Sequence, residues 1–253
     1  MGVNDLSGAR YALGVPPASS GGGGAPLGDL SDSLEPDGLW IFDDSLADSG
    51  SGGNDAAVEA GTSRFVSALG KRWFYADGST NLLCDGGSFL GTTGDVSIFM
   101  QVLLLHQSSH TAYWVSHGNA GAGEDINWNY IVRQSNTALN STQEYGASGF
   151  FSSETFSQIL VTAFGVTPVT YGCVRSVTDL ETRHYFFGEN REVDTFSAGE
   201  VPTGGENGQF RLFGDGAGVF ALPMLARNIF VKLEDIGDEG MRELNNEAFG
   251  VTA

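Results

Sequence analysis

From residue 97 to 105 the chain reads Ser97-Ile98-Phe99-Met100-Gln101-Val102-Leu103-Leu104-Leu105. A strand with one wet face is apolar at every second position, so a run that is apolar in both alternations predicts a central strand covered on both faces. Further on, Ile126, Trp128, Tyr130 and Val132 alternate with Asn127, Asn129 and Arg133. That period of two predicts a strand with one buried and one solvated face. Shorter runs begin at Gly38-Leu39-Trp40-Ile41-Phe42-Asp43 and recur at Thr111 to His117, Gln158 to Phe164, Val169 to Val174, His184 to Phe187, Gln209 to Phe213 and Val219 to Leu233. Gly, Asp, Asn and Ser, the turn-forming residues, separate them. Tyr185 to Asp194 predicts a hairpin turning at Gly188-Glu189-Asn190, and Asp238 is placed to cap a short helix bearing Met241, Leu244 and Ala248 on one side. No repeat of roughly 20 to 50 residues is present, which disfavours propellers and solenoids.

Residues 1–37 break this pattern. They hold a Pro-Pro pair, four consecutive glycines and almost no periodic apolar positions. The chain therefore divides into an extended arm, 1–37, and one β-domain, 38–253. The arm cannot bury enough of its own apolar surface to offset the entropy lost on ordering. Either it lies along its own domain, or its apolar residues Leu13, Val15, Pro16, Pro17 and Leu27 dock on a neighbouring subunit of an assembly.

Composition narrows the possibilities. A chain of 253 residues with 41% hydrophobic residues and 37 glycines suits a single large β-sandwich with many tight turns. Lys and Arg number 12 against 31 Asp and Glu, a net charge of −19 that repels nucleic acid and anionic membranes. No run approaches the length of a membrane span, and Asp5 and Arg10 stand where a signal peptide needs an apolar stretch, so synthesis in the cytoplasm is expected. Cys84 and Cys173 are expected as two buried thiols, and the sequon at Asn140-Ser141-Thr142 is expected to go unused.

Several of these pieces, in order, resemble the concanavalin A-like lectin/glucanase (laminin-G-like) family. The resemblance rests on Leu39-Trp40-Ile41-Phe42-Asp43 with Leu46-Ala47-Asp48-Ser49-Gly50, on Ile159-Leu160-Val161-Thr162 followed by Tyr185 to Asn190, and on Phe210-Arg211-Leu212-Phe213-Gly214. Ala226 to Phe230 and the segment Glu239 to Leu244 complete it. It covers roughly residues 38 to 250 and implies an all-β fold, a two-sheet antiparallel jelly-roll sandwich with a short C-terminal helix, to which the composition of residues 1–37 adds an extended N-terminal arm. Domains of this kind occur in lectins, glycoside hydrolases, adhesion proteins and bacteriophage head or tail proteins, so the resemblance speaks for fold before function.

Catalytic sets are not found. Glucan-cleaving relatives carry Glu, Asp and Glu at alternate positions of one strand, whereas here Glu192-Val193-Asp194 offers two carboxylates on an expected solvated hairpin edge, with Glu189 on the other face. Gly146-Ala147-Ser148-Gly149-Phe150 has Phe where a nucleophile elbow needs Gly. Gly118 to Gly123 lacks the lysine and helix of a phosphate loop. His106, His110 and His117 are not spaced as zinc ligands on a strand. A structural calcium ion is the one metal to weigh, at Asp43, Asp44, Asp48, Asn54 and Asp55 or at Glu124 and Asp125; no other cofactor is implied. Trp114, His117, Trp128 and Asn129 are candidate glycan contacts, set against the plainer reading that alternating aromatics fill the core. The expectation is a non-enzymatic protein of a bacteriophage virion, most simply a capsid decoration protein docked through its arm, with other virion subunits and copies of itself as partners. The alternative is a carbohydrate-binding adhesion module or a tail component.

Overall fold

A computed structural model describes residues 28–30, 34–84, 94–105, 110–118, 126–134, 139–145, 150–156, 167–198, 209–214 and 223–251; within these, the backbone alone is described for 110–113, 117–118, 126–134, 139–145, 150–156 and 191. The strands are β1 (Gly38–Trp40), β2 (Ala56–Ala60), β3 (Phe65–Ala68), β4 (Lys71–Ala76), β5 (Asn81–Cys84), β6 (Val96–Leu104), β7 (His110–Gly118) and β8 (Ile126–Gln134). They continue with β9 (Leu139–Tyr145), β10 (Phe150–Phe156), β11 (Val169–Ser176), β12 (Glu181–Phe186), β13 (Glu189–Thr195), β14 (Gln209–Leu212) and β15 (Met224–Lys232), and the helix α1 (Gly237–Ala248) follows. Among the described residues they form two antiparallel sheets: eight strands in the order β13-β12-β11-β6-β15-β4-β3 with β1 paired to β15, and seven in the order β10-β9-β8-β7-β14-β5-β2. The all-β, two-sheet sandwich with a short C-terminal helix is therefore the observed fold.

β6 is central and buried along its whole length, between β11 and β15. Val96, Ile98, Met100, Val102 and Leu104 face the inter-sheet core with Phe74, Leu82, Phe210, Leu212 and Ile229. Aromatic rings tie this core to the first strand, with Trp40 5.6 Å from Phe210 and Phe42 5.1 Å from Phe74 between ring centroids. Cys84 and Cys173 are free and buried in opposite sheets, and burial raises both thiols well above their usual range. On the outer face, Phe99 packs with Leu39, Val174, Tyr185, Phe230 and, from α1, Met241, Leu244 and Ala248. The polar residues on that face are matched to the covering chain: Gln101 Nε2 donates to Ala248 O at 2.9 Å, Ser97 Oγ to Glu234 O at 2.7 Å, and Thr170 Oγ1 to Asn245 Oδ1 at 2.7 Å.

Two local details differ from the sequence expectation. The β12–β13 hairpin turns at Phe187-Gly188, with φ of 52° and 73°, one residue earlier than expected. Paired positive φ values are those of a tight hairpin turn, and a Cβ on Gly188 would stand 2.8 Å from Asn245 Cβ, so glycine also makes room for α1. Asp238 does not cap α1. The position before the helix is Ile236, and the Asp238 carboxylate instead accepts the Tyr185 hydroxyl at 2.7 Å and Asn190 Nδ2 at 3.2 Å, tying the helix start to the hairpin.

Strands β2 to β5, β9 and β10 had no counterpart in the sequence reading, and Gln158 to Phe164, read there as a strand, lies outside the described residues. β9 is Leu-Asn-Ser-Thr-Gln-Glu-Tyr, polar in both alternations, so it offers no period-two signal.

Part of the segment set apart by composition is seated on the sandwich. Leu30 is buried in the outer-face cluster beneath α1. Asp37 N donates to Val231 O at 2.9 Å while its carboxylate accepts Leu233 N at 2.7 Å, and Lys232 Nζ donates to Glu35 O at 2.7 Å. Asp29 is ion-paired with the buried Arg227. Leu13, Val15, Pro16, Pro17 and Leu27 lie outside the described residues. Deleting residues 1–37 is expected to destabilise the domain by about 3 kcal/mol more than deleting 1–27, because only the longer deletion strands a buried charge and uncovers Leu39 and Phe230. Denaturant melts of the two truncations check this; equal stabilities would show that 28–37 contributes nothing to the fold.

Candidate functional site

β14 reads Gln-Phe-Arg-Leu, and its pleat sends Phe210 and Leu212 into the core. Gln209 and Arg211 therefore stand on the outer face of the seven-stranded sheet. Arg211 is nonetheless only 6% exposed. Its Nε donates to Glu59 Oε2 at 2.7 Å, its NH2 group to Glu59 Oε1 at 3.0 Å, and NH2 also contacts Gln209 Oε1. Glu59 sits at an irregularity between Val58 and Ala60 of the edge strand β2. It also accepts Asn81 Nδ2 at 2.7 Å. Beside this group Ser116 Oγ donates to Gly214 O at 2.8 Å, and Gly214 lies close enough to Asn81 that a Cβ there would be 3.0 Å from Asn81 Cγ.

The hydrogen bonds from Arg211 lower the Glu59 carboxyl below its usual value, against an opposing effect of burial. Glu59 is thus held ionised, with a third of its side chain facing solvent. The arrangement presents a fixed acceptor and the amide of Gln209, a layout suited to holding hydroxyl groups and unsuited to giving up a proton. The register extends the Arg211 row across the sheet through Ser116 and Asn129 to Glu144. The sequence singled out Asn129 but not Glu59, Asn81, Gln209 or Arg211. The polar positions within the apolar β14 were the available signal; the partner of Arg211 lies 152 residues away and left none.

Trp114 is not a glycan contact. It is 2% exposed, in the inter-sheet core, edge-on to Tyr171 with ring centroids 4.9 Å apart. The pleat is irregular between Tyr113 and Val115, and Trp114 and Val115 both join the core. His117 and Trp128 are register partners in the row of Phe210 and Cys84, and their side chains lie outside the described residues.

In the acidic turn weighed for calcium, Asp48 and Asp44 have protein partners. Asp48 accepts backbone N–H bonds from Leu39, Gly50 and Asn54, each at 2.7 Å, and Asp44 pairs with Arg72. Glu124, Asp125 and His106 lie outside the described residues, as does the loop 119–123; His110 is described by its backbone alone.

Glu192 and Asp194 of β13 are half-buried, where the sequence suggested a solvated edge. Their register partners are His184 and Thr182, both fully buried. Desolvation lowers His184 to about 4, so it is neutral at pH 7.

The Glu59–Arg211 pair sets a pH dependence. A carboxyl whose folded pKa is lowered stabilises above its unfolded value, near 4.5, and that contribution is lost as pH falls through the folded value. Glu59→Gln is expected to cost about 2 kcal/mol at pH 7 and to differ little from the parent near pH 3. Chemical denaturation at both pH values checks this; an equal deficit at each would show that the ion pair is not the cause.

No protein family matches the chain by sequence, and no curated protein sequence matches it. Solved structures do match the fold. The receptor-binding domain of botulinum neurotoxin C/D mosaic serotype is similar with a TM-score of 0.64 at 9% identity, over 84% of this chain and 51% of that one. A structure of botulinum neurotoxin type C, whose cell entry is described as dependent upon interaction with two ganglioside molecules, is similar with a TM-score of 0.63 at 8% identity, over 86% and 53%. The binding domain of botulinum neurotoxin DC in complex with rat synaptotagmin II gives 0.64 at 9%, over 86% and 52%. The chain thus spans about half the length of these structures, and at such identities the likeness establishes the fold alone, a two-sheet β-sandwich.

Proposed function

We propose that this chain is a non-catalytic carbohydrate-binding module that receives sugar on the outer face of its seven-stranded sheet, around Glu59, Gln209 and Arg211. The observation that carries the reading is the fixed polar group itself, in which a bidentate arginine holds a partly exposed carboxylate ionised beside an amide. Sugar hydroxyls are bound by such preset donors and acceptors, because little side-chain entropy is left to lose on binding. The similar structures support it in kind, being receptor-binding domains of which one is described as interacting with gangliosides. They lend nothing to the virion-decoration reading, whose docking residues lie outside the described part of the chain.

The electrostatics of the cluster support binding over hydrolysis at this place. Glycoside cleavage requires one carboxyl to be protonated as general acid beside a second carboxylate, and Arg211 works against protonation of Glu59.

The test is a glycan array probed with the full chain, followed by calorimetry on the best ligand. Gln209→Ala is expected to weaken binding on the order of 10-fold with little change in melting, since it removes one ligand-facing amide. The absence of any bound glycan, or undiminished binding by Gln209→Ala and Arg211→Gln alike, would remove the proposal.

A further inference from the structure

The outer face of the eight-stranded sheet holds a second arginine in a setting that its own strand does not explain. The Arg227 side chain is 1% exposed. Its guanidinium carbon lies 5.6 Å from the centroid of Trp73, which is itself buried with Leu103 and Leu225. NH2 is ion-paired with Asp29, whereas Nε and NH1 find no hydrogen-bond partner among the described residues. Burial lowers the guanidinium pKa to about 10, which leaves it charged at neutral pH.

An arginine presents its N–H donors in a planar fork, and a carboxylate satisfies it best by accepting two of them in parallel. Asp29 engages NH2 alone, so two donor nitrogens, Nε and NH1, stay buried and unmet, each at a free-energy cost. Asp29 is itself 45% exposed and shared with Lys71 Nζ at 3.1 Å. It arrives on Gly28–Leu30, which belongs to no strand and lies across the sheet as a strap. Gly28 fits against α1 where any Cβ would collide with the Glu247 carbonyl, and its own carbonyl accepts Asn228 Nδ2 at 3.3 Å. The carboxylate beside Arg227 is therefore a one-armed ligand delivered from a surface segment.

We infer that Arg227 is a carboxylate-binding site which the chain's own Asp29 occupies, and that an external carboxylate, borne by an acidic sugar or a small organic acid, takes the place of Asp29 and bridges NH2 with Nε or NH1. The site lies on the sheet opposite Arg211 and does not rest on the reading proposed above.

The full chain carrying Asp29→Ala tests this. Acetate, glucuronate, glucose and chloride are titrated at constant ionic strength and pH 7, with melting temperature and calorimetry as readouts. Acetate should raise the melting temperature of Asp29→Ala saturably and bind it at least 10-fold more tightly than it binds the parent. Glucose and chloride should do neither, and Asp29→Ala with Arg227→Met should lose the response. A matching response to glucuronate marks a pocket that admits an acidic sugar, and a response to acetate alone marks a site for small acids; both support the inference. Should Asp29→Ala not melt cooperatively, acetate is expected to restore the transition. Equal effects of acetate and chloride, a response that survives loss of Arg227, or failure of acetate to restore a non-cooperative variant would each overturn the assignment.

Discussion

Burial of β6 on both faces is the constraint from which the rest of the architecture follows. One face of a sheet can be covered by a second sheet, and here that closes the sandwich around Val96, Ile98, Met100, Val102 and Leu104. The other face carries Phe99 and Leu103, which need a third layer. α1 and the strap around Leu30 provide it over Phe99. Because that layer is a helix end and a connecting segment, it brings carbonyls that the sheet must satisfy, and Ser97, Gln101, Thr170 and Asn228 are the polar residues that do so. The outer face is thus a mixed interior, where position is fixed by hydrogen bonding as much as by apolar contact.

That mixture explains what the sequence made legible. The apolar run of β6 announces a strand covered twice, and the Leu39-Trp40 start announces a buried edge, because bulk hydrophobicity survives without knowledge of partners. What covers the second face is not announced. Leu30 stands alone among Gly, Asp and Ser, and composition groups it with the arm although it is buried against α1. Asn228 adopts a φ of 52° where one extra residue enters β15 opposite β6, a bulge that shifts the pairing between Arg227 and Phe230. The hairpin at Phe187-Gly188 packs closely against α1, a long-range contact that local turn preference does not contain.

The candidate site was less legible for the same reason. Alternation marked Trp114 and Trp128 as aromatics near polar neighbours, but an irregular pleat at Tyr113–Val115 leaves Trp114 in the core. The polar residues that do cluster, Glu59, Asn81, Gln209 and Arg211, come from three strands, and none is unusual in its own window.

Arg211 and Arg227, two of the buried arginines, differ in the way each meets its acid, and the difference separates a finished pair from an open one. Arg211 gives two donors to one carboxylate, and the remaining exposure belongs to Glu59, so the cluster offers an acceptor to the outside. Arg227 gives one donor and keeps two unmet, so that site offers donors. With a net charge of −19 the long-range field repels any anionic ligand approaching Arg227, while a neutral sugar approaching Glu59 feels none of it. Added salt screens that repulsion over a distance of about 10 Å at 0.1 M. An anion bound at Arg227 therefore gains in association rate as salt rises, until screening of the ion pair itself takes over, whereas a neutral sugar at the Arg211 face is indifferent to salt. The rise in association rate at low salt therefore distinguishes the two faces of the sandwich.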